Sequence, residues 1–231
     1  MLLLATAAAA SAEKVSNENQ QEEADRFKAY FLPVSEKAHI QEALGAHGSV
    51  RLGIGDYTGV SIRMRSHQKL YGHPSLSSVS GITIAAGSSD VVLTDLTVLG
   101  NGEINFEAGD PITNCLVKSI RNPSLIAKGA KIEGCTIMNI WSCRIEFDFS
   151  SSGYYRNNRL IKMQGGCNID GTSGFLFKGN SATPSFGNVH MWTNVLMPRG
   201  DGMVLDNLQS ATFVGLDGEM WNSENKSVGK K

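Results

Sequence analysis

The chain has 231 residues, and its 21 Lys and Arg against 22 Asp and Glu give a net charge of −1. Proteins that bind nucleic acid usually carry a basic face or tail, so this balance argues against a nucleic-acid partner. Hydrophobic residues make up 41% of the chain and charged residues 19%, which excludes global disorder, and no apolar run approaches the ~18 residues of a membrane span.

The N-terminal segment over 1–12, MLLLATAAAASA, is a short apolar stretch that ends in small residues. This pattern is typical of a secretory signal peptide and predicts an extracellular or periplasmic protein. The alternative is an Ala-rich helical stub or a truncated leader. The segment over 13–37 is charged and rich in Gln, Asn and Glu, which predicts a polar spacer, helical or loose, before a folded domain over 38–221 and a polar tail over 222–231.

The folded domain begins with a predicted helix from Ala38 to Leu44, followed by Gly45 as the stop. Its apolar residues recur at helical spacing, at Ile40, Ala43 and Leu44. The hydrophobic period then changes to two, which predicts a strand whose inward side chains are Val50, Leu52 and Ile54.

Short alternating strands then recur at an almost constant interval of about 21 residues, a spacing that indicates a repeat architecture. A first series has one wider gap that leaves room for a strand near Leu125, and its inward pairs are Ile62 and Met64, Ile82 and Ile84, Ile104 and Phe106, Ile145 and Phe147, Cys167 and Ile169, Val189 and Met191. A second series runs between these strands with nearly the same interval, and its quartets begin at Asp95, Asn114, Gly134, Asn157 and Gly179.

Two series with one period of about 21 residues differ from sandwiches and barrels, whose strands follow one another every ~8–12 residues. They indicate stacked coils that contribute strands to parallel sheets, with alternate apolar side chains filling a long interior. We therefore predict an all-β, single-stranded parallel β-helix, a solenoid whose open end is covered by the short N-terminal helix.

The opening HIQEALGAHGSVRLGIGDYTG and the following SGITIAAGSSDVVLTDLTV resemble the right-handed parallel β-helices of the pectate-lyase-like superfamily, which includes polysaccharide lyases, hydrolases and phage tailspikes. The resemblance covers roughly residues 38 to 220. It implies action on, or binding to, an acidic polysaccharide along the outer surface of a sheet. The catalytic motifs of the superfamily's polygalacturonases are absent, so any catalytic role is transferred by position on the sheet.

Polar residues that share the outward side of successive strands form the candidate site. In the segment from Arg144 to Phe149 the apolar side chains point inward, so the three charged ones project together. The period then places equivalent polar residues on the next two coils, and the full set is Arg144, Glu146, Asp148, Asn168, Asp170, Asn188, His190 and Trp192. Glu103, Asn105 and Glu107 lie on the same side two coils earlier.

Each residue of this row has an expected role. Asp148, Asp170, His190 and Arg144 are the catalytic candidates, because clustered carboxylates raise a pKa, a His moves a proton and an Arg neutralises a uronate. Substrate binding falls to the remaining polar residues and an aromatic plate, namely Glu146, Asn168, Asn188 and Trp192. The oxygens of Asp148, Asp170 and Glu146 could hold Ca²⁺. The alternative is an ordinary solvated sheet surface.

Three function classes remain open from the sequence. The first is a secreted carbohydrate-active enzyme, lyase-like rather than a hydrolase or epimerase. The second is a non-catalytic glycan-binding or adhesion module, including a homotrimeric tailspike segment. The third is a purely structural solenoid. Arg63 and Arg65, which flank Met64 and point outward on an early coil, are either solvated edge residues or contacts for a polyanion.

The cysteines follow the same register. Cys115 and Cys135 occupy one coil position and Cys167 an inward position, which predicts reduced thiols stacked in the core. A Cys115–Cys135 disulfide in an exported chain is the alternative. No spacing typical of a zinc site is present.

Overall fold

The computed structural model describes residues 20, 21, 23–100, 102–148, 153–156 and 158–170, and then the strand segments 177–178, 181–183, 190–192, 204–205, 212–214, 219–221 and 227–230. The leader predicted at 1–12 lies outside these residues, as does most of the tail predicted at 222–231. The described part is mostly β-strand in parallel sheets, with few helices, so the all-β prediction is confirmed.

Helical segments open the described chain. Residues 23–28 are helical, a 3-10 helix spans Val34–His39, and α1 spans Ile40–His47. The stop predicted at Gly45 is wrong, because α1 continues to Gly48, where φ is 69° and the N–H donates to the Leu44 carbonyl at 3.0 Å. Glycine adopts this left-handed φ without the penalty that a Cβ brings. The predicted inward face of α1 is buried.

The strands are short, apart from two long ones. In chain order they are β1 Tyr30–Leu32, β2 Ser49–Leu52, β3 Gly55–Asp56, β4 Ile62–Met64, β5 Lys69–Tyr71, β6 Ser77–Val79, β7 Ile82–Ile84, β8 Val92–Val98, β9 Glu103–Phe106, β10 Ile112–Thr113, β11 Leu116–Arg121, β12 Ser124–Lys128, β13 Lys131–Glu133, β14 Thr136–Asp148, β15 Tyr154–Arg156, β16 Arg159–Asp170, β17 Phe177–Lys178, β18 Ser181–Thr183, β19 His190–Trp192, β20 Val204–Leu205, β21 Thr212–Val214, β22 Glu219–Trp221 and β23 Ser227–Lys230.

Most strands join two long parallel ladders. The first ladder runs β1, β2, β5, β8, β11, β14, β16, β18, β20. The second ladder runs β4, β7, β9, β12, β14, β16. Partners on neighbouring strands are separated in sequence by close to the predicted period, as for Val117 and Ile137 on the first ladder. The long strands β14 and β16 belong to both ladders, with a register shift between Ile140 and Cys143.

A short branch and two smaller sheets complete the described strands, and in the branch β3 pairs with β6 and β6 with β8. A third parallel ladder contains β10, β13, β15 and β17. The last sheet is mixed, since β19 and β21 are parallel whereas β22 pairs antiparallel with both β21 and β23. The strands that follow the predicted period therefore give way to hairpin-like pairing near the end of the chain.

The inward side chains of the ladders form one continuous hydrophobic core. Residues directly paired along the second ladder are all buried, namely Ile62, Ile82, Ile104, Leu125 and Ile145. The same holds for Val50, Leu70, Leu93, Val117 and Ile137 along the first ladder. Each such aliphatic side chain contributes about 1.5–3 kcal/mol by leaving water, so these columns are the main source of stability. Ile54, which the alternation placed inward, is instead exposed beyond the end of β2.

The strands of the second predicted series form the first ladder. Their predicted register is correct from Leu116 onward, because Leu116 pairs with Thr136 and Thr136 with Arg159. Its first step is wrong. Leu116 pairs with Val92, so the quartet equivalent to the one at Asn114 begins at Asp90 and not at Asp95. The shift matters because it changes which residues of β8 face outward.

Left-handed residues bend the first ladder at equivalent positions. Asp90, Asn114 and Gly134 precede their strands with φ of 57°, 54° and 63°. A second column lies within β8, β11 and β14, at Asp95, Ser119 and Asn139, with φ of 61°, 57° and 53°. Asp, Asn and Gly tolerate this conformation better than other residues, and they fill all of these positions except Ser119, so these columns let successive strands bend at one place.

The outward side of the first ladder is covered near its start. Tyr71 and Thr94 point away from the core cluster yet are buried. Ion pairs fasten helical residues 23–28 over this side, with Asp25 to Lys69 at 2.7 Å and Arg26 to Asp95 at 2.8 Å. The segment predicted as a spacer therefore includes a helical segment attached to the sheet and the first strand of the ladder.

The cysteines of the described core are reduced. Cys115 and Cys135 are free and buried, as predicted, and the Cys115 N–H donates to the Cys135 sulfur at 3.3 Å. The Cys115 thiol and burial raise the pKa of the Cys135 thiol, so it stays protonated. Buried Asn158 continues this corner, since its oxygen accepts the Cys135 N–H at 2.8 Å and its amide donates to the Ile132 carbonyl at 2.9 Å. The side chain of Cys167 lies outside the described residues.

Candidate functional site

The second ladder brings the central candidate residues onto neighbouring strands. Glu146 of β14 pairs directly with Asn168 of β16, and Asp148 pairs with Asp170. Parallel neighbours lie ~4.8 Å apart, so two acidic residues occupy adjacent positions at the ends of these strands. The backbone register inferred from the spacing is confirmed for these two pairs.

Arg144 and Glu146 form an ion pair on this surface. The Arg144 guanidinium contacts the Glu146 carboxylate, and the Arg144 side chain is 72% exposed. Exposed pairs of this kind contribute only about 0–1 kcal/mol, because water screens both charges. Arg144 is thus accessible to an external anion, which would exchange one carboxylate partner for another at small cost.

Most side chains of the predicted row lie outside the described residues. Asn188 lies outside the described residues, and so do the side chains of Asp148, Asn168, Asp170, His190 and Trp192. The backbone of β19 is described, and His190 pairs there with Thr212 of β21. The alignment of His190 with Asp170 stays a prediction.

The earlier strands of the same surface carry a second ion pair. Both terminal guanidinium nitrogens of Arg63 bind the Glu107 carboxylate, at 2.7 and 2.5 Å, and the Ala86 N–H donates to it at 3.0 Å. These bonds lower the pKa of Glu107 to about 2, mainly through Arg63. The two residues are two ladder steps apart in sequence, and this spacing could have predicted the pair. Because the Glu107 carboxylate binds its guanidinium, Arg63 is neutralised within the surface.

A shallow polar groove crosses the start of β4, β7 and β9. Its volume is about 530 Å³, and it is lined by small and polar residues, including Ser61, Ser80, Thr83, Glu103 and Asn105. Hydroxyl, amide and carboxylate groups at this spacing offer hydrogen bonds to a polyhydroxylated chain. The groove lies on the outward side that carries Arg144 and Glu146 farther along the ladder.

The described residues contain no group of three or more His, Cys, Asp and Glu side chains that could hold a metal ion. Glu146 is the one predicted Ca²⁺ ligand whose side chain is described, and Arg144 already binds its carboxylate. A cation at Glu146 would have to displace this guanidinium. Ca²⁺ at this site would therefore rest mainly on Asp148 and Asp170.

The chain was compared with known families, proteins and structures. No protein-family model, curated protein or solved structure matches this chain. Within the part of the chain that the structure describes, no helix has the length and apolar character needed to cross a membrane.

Proposed function

We propose that the protein is a secreted right-handed parallel β-helix, similar to the pectate-lyase-like superfamily, that binds and cleaves acidic polysaccharide on the outer surface of its second ladder. The regular spacing of the ladder partners supports the solenoid, because successive partners such as Leu125 and Ile145 are separated by the length of one coil. The apolar leader at 1–12 supports export. In this solenoid, α1 caps the first coil.

The pairing of Asp148 with Asp170 on adjacent strands is the observation that carries the proposed activity. We propose that these two residues act as an acid–base pair, because carboxyl groups on adjacent strands can share one proton. Arg144 neutralises the substrate's carboxylate, and His190 removes the ring proton next to that carboxylate. As the double bond forms, the glycosidic C–O bond breaks and the protonated member of the Asp pair gives its proton to the leaving oxygen. Glu146, Asn168, Asn188 and Trp192 hold neighbouring sugar units.

The test is the ultraviolet absorbance of unsaturated uronates formed from pectic, alginate and glycosaminoglycan polymers, with and without Ca²⁺. The wild-type protein should give product from at least one polymer, and Asp148→Asn and Asp170→Asn should lower the rate about 100-fold or more, as for loss of a general acid or base. Asp110→Asn, at an exposed position between β9 and β10 and outside the polar groove, is the matched control and should retain activity. Absence of product on every polymer would reject the lyase.

A second candidate function rests on the polar groove across β4, β7 and β9. Its small polar lining suits a glycan-binding or adhesion module, alone or as a homotrimeric tailspike segment. This module would retain an immobilised acidic polymer without cleaving it, and Asn105→Ala would weaken retention whereas Asp148→Asn would not. Sedimentation velocity of the same samples distinguishes a monomer from a trimer.

A further inference from the structure

A cavity of about 810 Å³ lies on the other ladder, beside helical residues 23–28 and away from the candidate polysaccharide surface. Its volume falls in the range of ~300–1,000 Å³ that is usual for small-molecule sites. The walls come from the helical segment, from β1, from β2 and the residues after it, from the residues after β5, and from β8 and β11 beside their left-handed residues. The cavity thus lies between a sheet and the segment attached over it.

Apolar side chains dominate the open rim. Phe27 is 69% exposed, Phe31 50% and Ile54 60%, although each belongs to a residue type that normally gains stability by burial. All three line the same cavity. Their exposure is therefore concentrated at one place, which is typical of a binding surface rather than of scattered surface residues.

Arg51 supplies a cation inside this apolar rim. Its guanidinium lies 5.3 Å from the centre of the Phe31 ring and 6.0 Å from that of Phe27. The Nε atom is buried and has no hydrogen-bond partner among the described residues. A buried donor without an acceptor is unfavourable, so the Arg51 guanidinium has hydrogen-bonding capacity that the described residues leave unused.

The charge of the lining favours an anion. Arg26, Arg51 and Lys118 line the cavity against two carboxylates, Glu23 and Asp95, and the Arg26–Asp95 ion pair neutralises one of each sign. We propose that this cavity binds a small amphipathic carboxylate, with its anionic head on Arg51 and its apolar body against Phe27, Phe31 and Ile54. The ligand is distinct from a sugar polymer, because the rim is apolar and the site is enclosed on one side by the helical segment.

The proposal is tested by isothermal titration calorimetry of the full chain with decanoate. Decanoate should bind saturably with one site per chain, and decyltrimethylammonium, which has the same alkyl body and opposite charge, should bind at least tenfold more weakly. Arg51→Gln should weaken decanoate binding about tenfold or more, since a hydrogen bond to a charged group contributes ~1.5–3 kcal/mol. Arg121→Gln is the matched control, because Arg121 is exposed and lies 5.1 Å over Trp141, outside the cavity.

Ile54→Ser separates binding from folding, because an exposed side chain contributes little to stability. It should weaken decanoate binding several-fold with an unchanged melting temperature. Equal affinity for decanoate and decyltrimethylammonium, or equal effects of Arg51→Gln and Arg121→Gln, would overturn the proposal. Self-association that Ile54→Ser abolishes, without decanoate binding, would also overturn it and would assign the surface to a second copy of the chain.

Discussion

The outward sides of the two ladders differ sharply although both enclose the same core. Outside the first ladder, Tyr71 and Thr94 are buried, and ion pairs attach helical residues 23–28 across the sheet. Outside the second ladder, charged residues such as Arg144 remain exposed and pair with one another. One surface is therefore partly sequestered by the chain itself, whereas the other stays open along several strands.

The difference shows that one set of residues specifies the repeat of the strands and another set gives each surface its chemistry. Inward aliphatic side chains repeat along both ladders and specify the parallel pairing. The outward residues are free to differ, because a strand's two faces are independent at a period of two. An open polar surface suits an extended polymer, and a partly covered apolar cavity suits a small ligand.

The largest expected effects lie in the core that the two surfaces share. Phe106→Ala removes a buried ring behind the second ladder. This ring packs edge-on against Phe147, with 6.1 Å between the ring centres. Leu93→Ala removes a fully buried side chain behind the first. We expect losses in unfolding free energy of about 3–5 and 2–5 kcal/mol respectively, measured by urea denaturation. A loss below about 1 kcal/mol on one side only would show that the two ladders do not share a cooperative core.

Close backbone contacts should give the next largest effect on both ladders. A Cβ at Gly72, after β5, would collide with the Asp95 carbonyl oxygen, and one at Gly102, before β9, with that of Ser80. Gly72→Ala and Gly102→Ala should each destabilise the protein by about 1–3 kcal/mol, because the obstacle is backbone. Gly45→Ala is the control, since Gly45 is helical with open space around it and gains up to ~1 kcal/mol of helix propensity. Equal melting temperatures for all three variants would contradict this packing.

Much of the second ladder could be predicted from the sequence, because its inward aliphatic residues alternate cleanly at one spacing. The pairing of Ile62, Ile82, Ile104, Leu125 and Ile145 follows this spacing without exception. The first ladder is harder to predict, since the region of β8 contains two segments in which an Asp precedes apolar residues, at Asp90 and Asp95. Both Asp residues are left-handed, and only the tertiary pairing shows which one matches Asn114.

The site is predictable only where it depends on register. The pairing of Glu146 with Asn168 and of Asp148 with Asp170 follows from the period. The cavity beside Arg51 does not follow from it, because the cavity depends on a helical segment from the polar N-terminal region packing back on the sheet. Alternation predicts an inward Ile54, yet the strand ends at Leu52 and the chain turns Ile54 outward to the cavity rim.

A smaller effect should separate the two surfaces directly. Arg26→Gln removes the ion pair to Asp95 and weakens the bond to the Gly72 carbonyl, so residues 23–28 should detach more readily from the first ladder. We expect a cost of about 1 kcal/mol, measured as faster hydrogen exchange of the helical amides. Arg63→Gln, which breaks the pair on the second ladder, should leave that exchange unchanged. Unaltered helical exchange in Arg26→Gln would show that other contacts hold the segment.

The smallest expected effect is the pH response of the Arg63–Glu107 pair. Because Arg63, helped by the Ala86 N–H, lowers the pKa of Glu107 from about 4.5 to about 2, the stabilisation is fully present above pH 4.5 and is lost as the pH falls toward 2. Glu107→Gln should flatten the fall in unfolding free energy over this interval. In a carboxyl NMR titration, Arg63→Gln should return the pKa of Glu107 toward its ordinary value.

Asp56 provides the internal control for that titration. The Thr58 hydroxyl and N–H lower the pKa of Asp56 locally, so it should titrate identically in the wild-type protein and in Arg63→Gln. If Glu107 keeps its low pKa without Arg63, the Ala86 N–H alone must sustain it. Arg63 would then be available to an anionic polymer on the open surface. Both ladders would carry an arginine able to bind an anion, and the two sites would differ only in the apolar rim beside Arg51.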